Sequence, residues 1–103
     1  MILKDIELIP HAKYLEEEYT ITFNFATRLK AGQSLSSVVV TAEDVHRKDV
    51  TAQIVGNSDA TSPIVTVLLK ENGGERGQLY YVRSVATTNE GRKLEVVLEL
   101  EIK

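Results

Sequence analysis

Apolar residues recur at every second position over two long stretches of the chain. Near the C-terminus Leu94, Val96, Leu98, Leu100 and Ile102 alternate with Glu95, Val97, Glu99 and Glu101, the period of a strand with one dry and one wet face. Upstream, Tyr19, Ile21, Phe23 and Phe25 alternate with Thr20, Thr22 and Asn24, and these aromatic and β-branched types suit a pleated surface. Shorter runs lie between. Leu35 to Ala42 follows Ala31-Gly32-Gln33-Ser34 and contains Val38-Val39-Val40, which predicts a strand buried on much of both faces. Val50 to Val55 predicts another, closed by the turn cluster Gly56-Asn57-Ser58-Asp59. Ile64 to Lys70 opens after Pro63, where a missing N–H costs a ladder nothing, and ends at Asn72-Gly73-Gly74. Leu79 to Thr87 comes next and joins the last strand through Asn89-Glu90-Gly91, so these two strands should form a hairpin.

The first sixteen residues carry weaker patterning. Ile2, Ile6 and Ile9 predict a first strand or extended arm within residues 2–9, broken at Pro10. Tyr14-Leu15-Glu16-Glu17-Glu18 has the composition of a single helical turn. With turn signals spaced as in sandwiches and barrels, and no long amphipathic helix or internal repeat, the chain reads as all-β. It should form a single domain over residues 1–103, a sandwich or barrel of six strands, or seven with 1–10 as a first strand rather than an N-terminal arm. The expected core is Tyr19, Ile21, Phe23, Phe25, Val38, Val40, Ile54, Val65, Val67, Tyr80, Val82, Leu94, Val96, Leu98 and Leu100. A one-residue slip in a strand would turn its whole set to the other face.

Composition narrows the chemistry. The 103 residues are 43% apolar and 26% charged, near the globular average, which argues against disorder and against a membrane protein. A formal charge of −3 lacks the basic excess that a phosphate-binding surface needs, so nucleic acid is not expected as a partner. Without cysteine there is no disulfide, thiolate nucleophile or cysteine-based metal site. The start, Met1-Ile2-Leu3-Lys4-Asp5, places an acid where a signal peptide would continue its apolar stretch. The expectation is a complete product that no signal peptide exports and that needs no membrane.

Candidate sites have bland explanations. His11 and His46, the only histidines, lie about 35 residues apart, each beside a turn or charged segment rather than at the fixed local spacing of a metal site, and a surface imidazole explains each. Glu99 and Glu101 share a strand face about 6.6 Å apart, a spacing that any Glu-x-Glu strand gives; a solvated face that keeps the last strand from pairing promiscuously explains them better than paired-carboxylate hydrolysis. Glu16-Glu17-Glu18 reads as a solvated run. The stretch Glu71-Asn72-Gly73-Gly74-Glu75-Arg76-Gly77 leads into a strand rather than a helix, so it is a loop and not a phosphate cradle. Tyr80 and Tyr81 face opposite ways, and Tyr80 is expected to enter the core with its hydroxyl tied to the adjacent loop backbone. No residue is therefore assigned as catalytic, cofactor-binding or metal-ligating, and no cofactor or small-molecule substrate is expected.

The order of motifs resembles a family. Tyr19-Thr20-Ile21-Thr22-Phe23-Asn24-Phe25 with Arg28-Leu29-Lys30-Ala31-Gly32-Gln33-Ser34-Leu35, then Val38-Val39-Val40-Thr41, Asp49-Val50-Thr51, the Gly73-Gly74…Gly77-Gln78-Leu79-Tyr80 turn, and Thr87-Thr88-Asn89-Glu90-Gly91-Arg92-Lys93-Leu94-Glu95 are similar to the immunoglobulin-like fibre-tail adaptor, or tail-connector, proteins of bacteriophages and prophages. The similarity covers about residues 14–102. It implies one immunoglobulin-like antiparallel β-sandwich of about seven strands, and a non-enzymatic structural protein of a phage or prophage tail, working through contacts with tail or fibre proteins or with copies of itself, in the virion or the cytoplasm of a bacterial host. The alternative is a carbohydrate- or surface-binding immunoglobulin-like module, which would ordinarily present aromatic rings for sugar stacking; this chain has no tryptophan, and Phe23 and Phe25 are expected in the core.

Overall fold

Alternating hydrophobicity becomes pleated strands wherever one face can be covered. The computed structural model describes the backbone of residues 6–103 and the side chains from residue 12 onward; the expectation for residues 2–5 lies outside the described residues. The described strands are β1 (Ile6–Lys13), β2 (Tyr19–Asn24), β3 (Leu35–Asp44), β4 (Val55–Thr61), β5 (Ile64–Leu69), β6 (Leu79–Thr88) and β7 (Lys93–Ile102), with a one-turn helix α1 (Thr51–Ile54) between β3 and β4. One sheet has the order β1-β7-β6-β3 and the other β2-β5-β4. Strands β2, β5 and β4 take the B, E and D places of an immunoglobulin sandwich, and β3, β6 and β7 the C, F and G places. Neighbours run antiparallel, except that β1 lies parallel to β7 with Ile6 level with Glu95.

The core forms between the sheets. Phe25, Val65, Val67, Leu69, Val82, Ala86, Leu94 and Leu100 are completely buried, joined by Ile21, Phe23, Ile54, Val96, Leu98 and Ile102. Each of these Val, Leu, Ile and Phe side chains contributes about 1.5–3 kcal/mol on leaving water, and the Ala86 methyl less. The expected parity of β3 and β5 holds, since Val65 and Val67 are buried and Val39 is 61% exposed.

Several expectations fail for physical reasons. The Val38-Val39-Val40 run is not buried on both faces: β3 is an edge strand with a solvated outer face, and Val38 and Val40 are only half-buried. Tyr19, at the start of β2, is 41% exposed and outside the core. Pro10 does not break β1, because an edge strand has one free side on which a missing N–H costs nothing. Glu99 and Glu101 do not guard an edge, because β7 is paired on both sides.

Val50 to Val55 is helix followed by the start of a strand. The Asp49 carboxylate accepts the Thr51 N–H at 2.9 Å and its hydroxyl proton at 2.6 Å, a local Asx turn that competes with the β propensity of the segment just ahead of the helix. Ile54 still reaches the core from the helix. Gly56-Asn57-Ser58-Asp59 is not a turn but part of β4, where a bulge between Val55 and Ser58 absorbs the irregular residues.

Both ends of the β6–β7 hairpin are pinned. The Thr88 hydroxyl accepts the N–H groups of Glu90 and Arg92 around the Asn89-Glu90-Gly91 turn, with Gly91 at φ +82°. At the other end Tyr80 is 6% exposed, and Glu75 N–H donates to its hydroxyl at 3.0 Å. That is the geometry of a tyrosine corner at the E–F crossing, reached with Gly77 three residues before the tyrosine. Gly74 lies against this ring at φ +89°, where an added Cβ would stand 2.7 Å from the Tyr80 ring.

Tyr80→Phe is expected to destabilise the fold by about 0.5–1.5 kcal/mol. Gly74→Ala should cost roughly 2 kcal/mol or more, through strain and collision together. Gly91→Ala, which meets no atom within 4 Å, should cost less than Gly74→Ala; urea unfolding of the three variants checks this order.

The loop after β3 responds to acid. Asp44 accepts the N–H groups of Lys48 and His46, and Asp49 the Thr51 hydroxyl and N–H; these bonds hold both carboxyls below their ordinary value of 3.8. A depressed folded pKa contributes stability above the unfolded value that is lost as pH falls through the folded one. A carboxyl-detected NMR titration should find both groups titrating below pH 3.8, with the His46 and Lys48 amide signals moving at the Asp44 midpoint.

Candidate docking surfaces

The strand directions gather the loops at two ends. At one end lie the β1–β2, β3–β4 and β5–β6 connections and the C-terminus. Lys103 N–H donates to Lys13 O, Leu15 N–H to Lys103 O, and Asn72 N–H to Leu15 O. Lys13 is only 2% exposed, and its Nζ donates to the carbonyls of Tyr14 and Leu15. Burial lowers the pKa of its amine, opposed by the nearby Glu17 charge. Sequence reasoning missed this residue because lysines are almost always exposed. Glu16, Glu17 and Glu18 are exposed, and Glu16 meets Arg76 of the glycine-rich β5–β6 loop at 3.3 Å.

At the opposite end the β2–β3 loop and two hairpins are tied together. Asn89 N–H donates to Ser34 O, while its side chain accepts the Ser34 N–H. Arg92 donates to Arg28 O at 2.7 Å, Arg28 donates to Glu95 O at 2.8 Å, and Phe25 N–H donates to Pro63 O. The Arg28 guanidinium lies 5.8 Å from the centre of the buried Phe25 ring.

The outer face of the four-stranded sheet holds the carboxylates. Arg83 reaches Glu95 at 2.9 Å on one side and Glu43 at 3.4 Å on the other. A shallow depression of about 420 Å³ beside them is lined by Glu43, Asp44, Val45, Arg47, Tyr81, Arg83 and Val97. It was illegible in the sequence, being assembled from three strands and a loop. Glu101 is exposed and lies 3.7 Å from Lys103. Glu99 is half-buried on the same face, level with Tyr81.

His46 is exposed in the turn after β3, and the His11 backbone lies level with Leu100. Among the described residues no three His, Asp or Glu side chains are grouped so that they could hold a metal ion. Phe23 and Phe25 are interior, and the most exposed aromatic residue is Tyr14.

The edge of β3 is partly capped. Val50 N–H donates to Ala42 O at 2.9 Å, Ala42 N–H to the Thr51 hydroxyl, Asp44 N–H to Lys48 O, and Leu35 N–H to the Ser62 hydroxyl. Backbone groups of Ala42 and Asp44 thus point away from β6. Val38 and Val40 have the same parity in the antiparallel ladder, so their N–H and C=O groups point off the edge between the two caps, where no strand pairs with them among the described residues.

No curated protein matches the chain. A family model described as podophage GP4 fiber-tail adaptor protein gp77 matches residues 13–101, from the end of β1 almost to the end of β7. A match over nearly the entire sandwich places this chain in that family of phage fibre-tail adaptor proteins.

Proposed function

We propose that the chain acts as one immunoglobulin-like unit, a non-enzymatic adaptor that joins tail and fibre proteins of a phage or prophage particle through protein contacts. Family membership over residues 13–101 carries this reading. The pinned loops at the β6–β7 hairpin end support it, because a surface already held by hydrogen bonds docks without the entropy loss of ordering flexible chain. Two of the outer-face carboxylates, Glu95 and Glu43, pair with Arg83, and the exposed Glu101 lies near Lys103. On this reading the protein resides in the virion after assembly, with neither nucleic acid nor membrane as its target.

Particles assembled without this chain are expected to carry tails that lack fibres, with purified chain restoring fibre attachment and infectivity. The doubly substituted Glu99→Gln, Glu101→Gln chain should restore them as well as the original does. Fully fibred particles made in its absence would contradict the adaptor role. Loss of restoration in the well-folded double variant would return those carboxylates to consideration as a site.

A further inference from the structure

We propose that the open window on β3 pairs with the same window of a second copy, antiparallel about a two-fold axis through Val39. Its purpose rests on the adaptor reading; its geometry does not. Strand β3, with ten residues, is the longest edge strand, and Leu35 to Ala42 contains no charge. The other edges are less suited: β1 contains Pro10, β2 has six residues, and β4 is bulged and carries Asp59. A long, apolar, unpaired edge is a template for strand addition.

A second copy fits the window better than an unrelated strand because the window is symmetric about its centre. With Val39 opposite Val39, Val38 of each copy faces Val40 of the other. The four outward N–H and C=O groups of each window then meet four that match them. The half-buried Val38 and Val40 side chains gain cover on the inner face. On the outer face, exposed Ser37 stands opposite exposed Thr41, a favourable cross-strand pair.

Pairing stops where Ala42 is occupied by the Val50 and Thr51 cap. The charges agree with this direction. Antiparallel register keeps Glu43 of one copy about 27 Å from Glu43 of the other, whereas parallel register would set them side by side.

Val39 is 61% exposed, so substitutions there should leave the unfolding curve of the monomer unchanged. The chain has no cysteine, which makes Val39→Cys a single reporter. Facing residues of a non-hydrogen-bonded antiparallel pair lie about 4.5 Å apart between Cα atoms, within disulfide reach. Mild oxidation should convert Val39→Cys to a covalent dimer, while the exposed Val45→Cys control stays largely monomeric.

In sedimentation velocity the original chain should be dimeric. Val39→Lys and Val39→Glu should each weaken dimerisation by about tenfold or more, and an equimolar mixture should restore it. A monomeric original chain at high micromolar concentration overturns the proposal. So does cross-linking of Val39→Cys no faster than of Val45→Cys, or a mixture no more dimeric than its components. A monomeric chain that restores fibres removes the dimer alone, and a dimer that restores none removes the adaptor role alone.

Discussion

With no disulfide available, the two sheets are held together by apolar packing, chiefly of β6 and β7 against β2 and β5. Strand β7 is the centre of that arrangement, paired with β1 on one side and β6 on the other, with Leu94, Val96, Leu98, Leu100 and Ile102 all buried. These side chains reach across to Ile21, Phe23, Phe25, Val65 and Val67 in one continuous cluster. Burial on this scale must offset the entropy lost by ordering the chain, and it does so only while the register of every strand is kept. Tyr80 and Thr88 pin the two ends of the hairpin that supplies eight of the 18 residues in the core cluster, and both polar groups are buried at hydrogen-bonded positions.

The alternation of β2 and β7 was readable because a half-buried strand repeats every two residues whatever its neighbours are. The buried Tyr80 was readable too, since one of two successive tyrosines on a strand must face inward. What escaped depends on tertiary position. The valine run of β3 looks like an interior strand until the sheet order places it at an edge, and Glu99 and Glu101 look like edge guards until β1 is found beside β7. The Asx turn of Asp49 onto Thr51 is local, yet it competes with a β-rich stretch, and composition does not say which wins. Lys13 gave no signal, because its burial depends on the carbonyls of Tyr14 and Leu15 turning toward its amine.

Family was legible in the order of motifs, whereas the docking surfaces were not. Which backbone groups point off an edge follows from ladder parity and from what caps the ends, and both appear only when β3, β6 and the Lys48 to Thr51 segment are placed together. On the proposed adaptor reading, the same framework that buries the core leaves its edges and tied loops as the parts that meet other proteins. The proposed adaptor role thus rests on a preformed framework with a working surface.

Amide hydrogen exchange, compared between the free chain and the chain assembled with tail and fibre proteins, tests that account most directly. It predicts new protection confined to edge strands and end loops, with amides of Val65, Val82 and Leu98 equally slow in both states. Protection that first appears in β5, β6 or β7 on assembly would mean that the framework forms only on binding, and would contradict it.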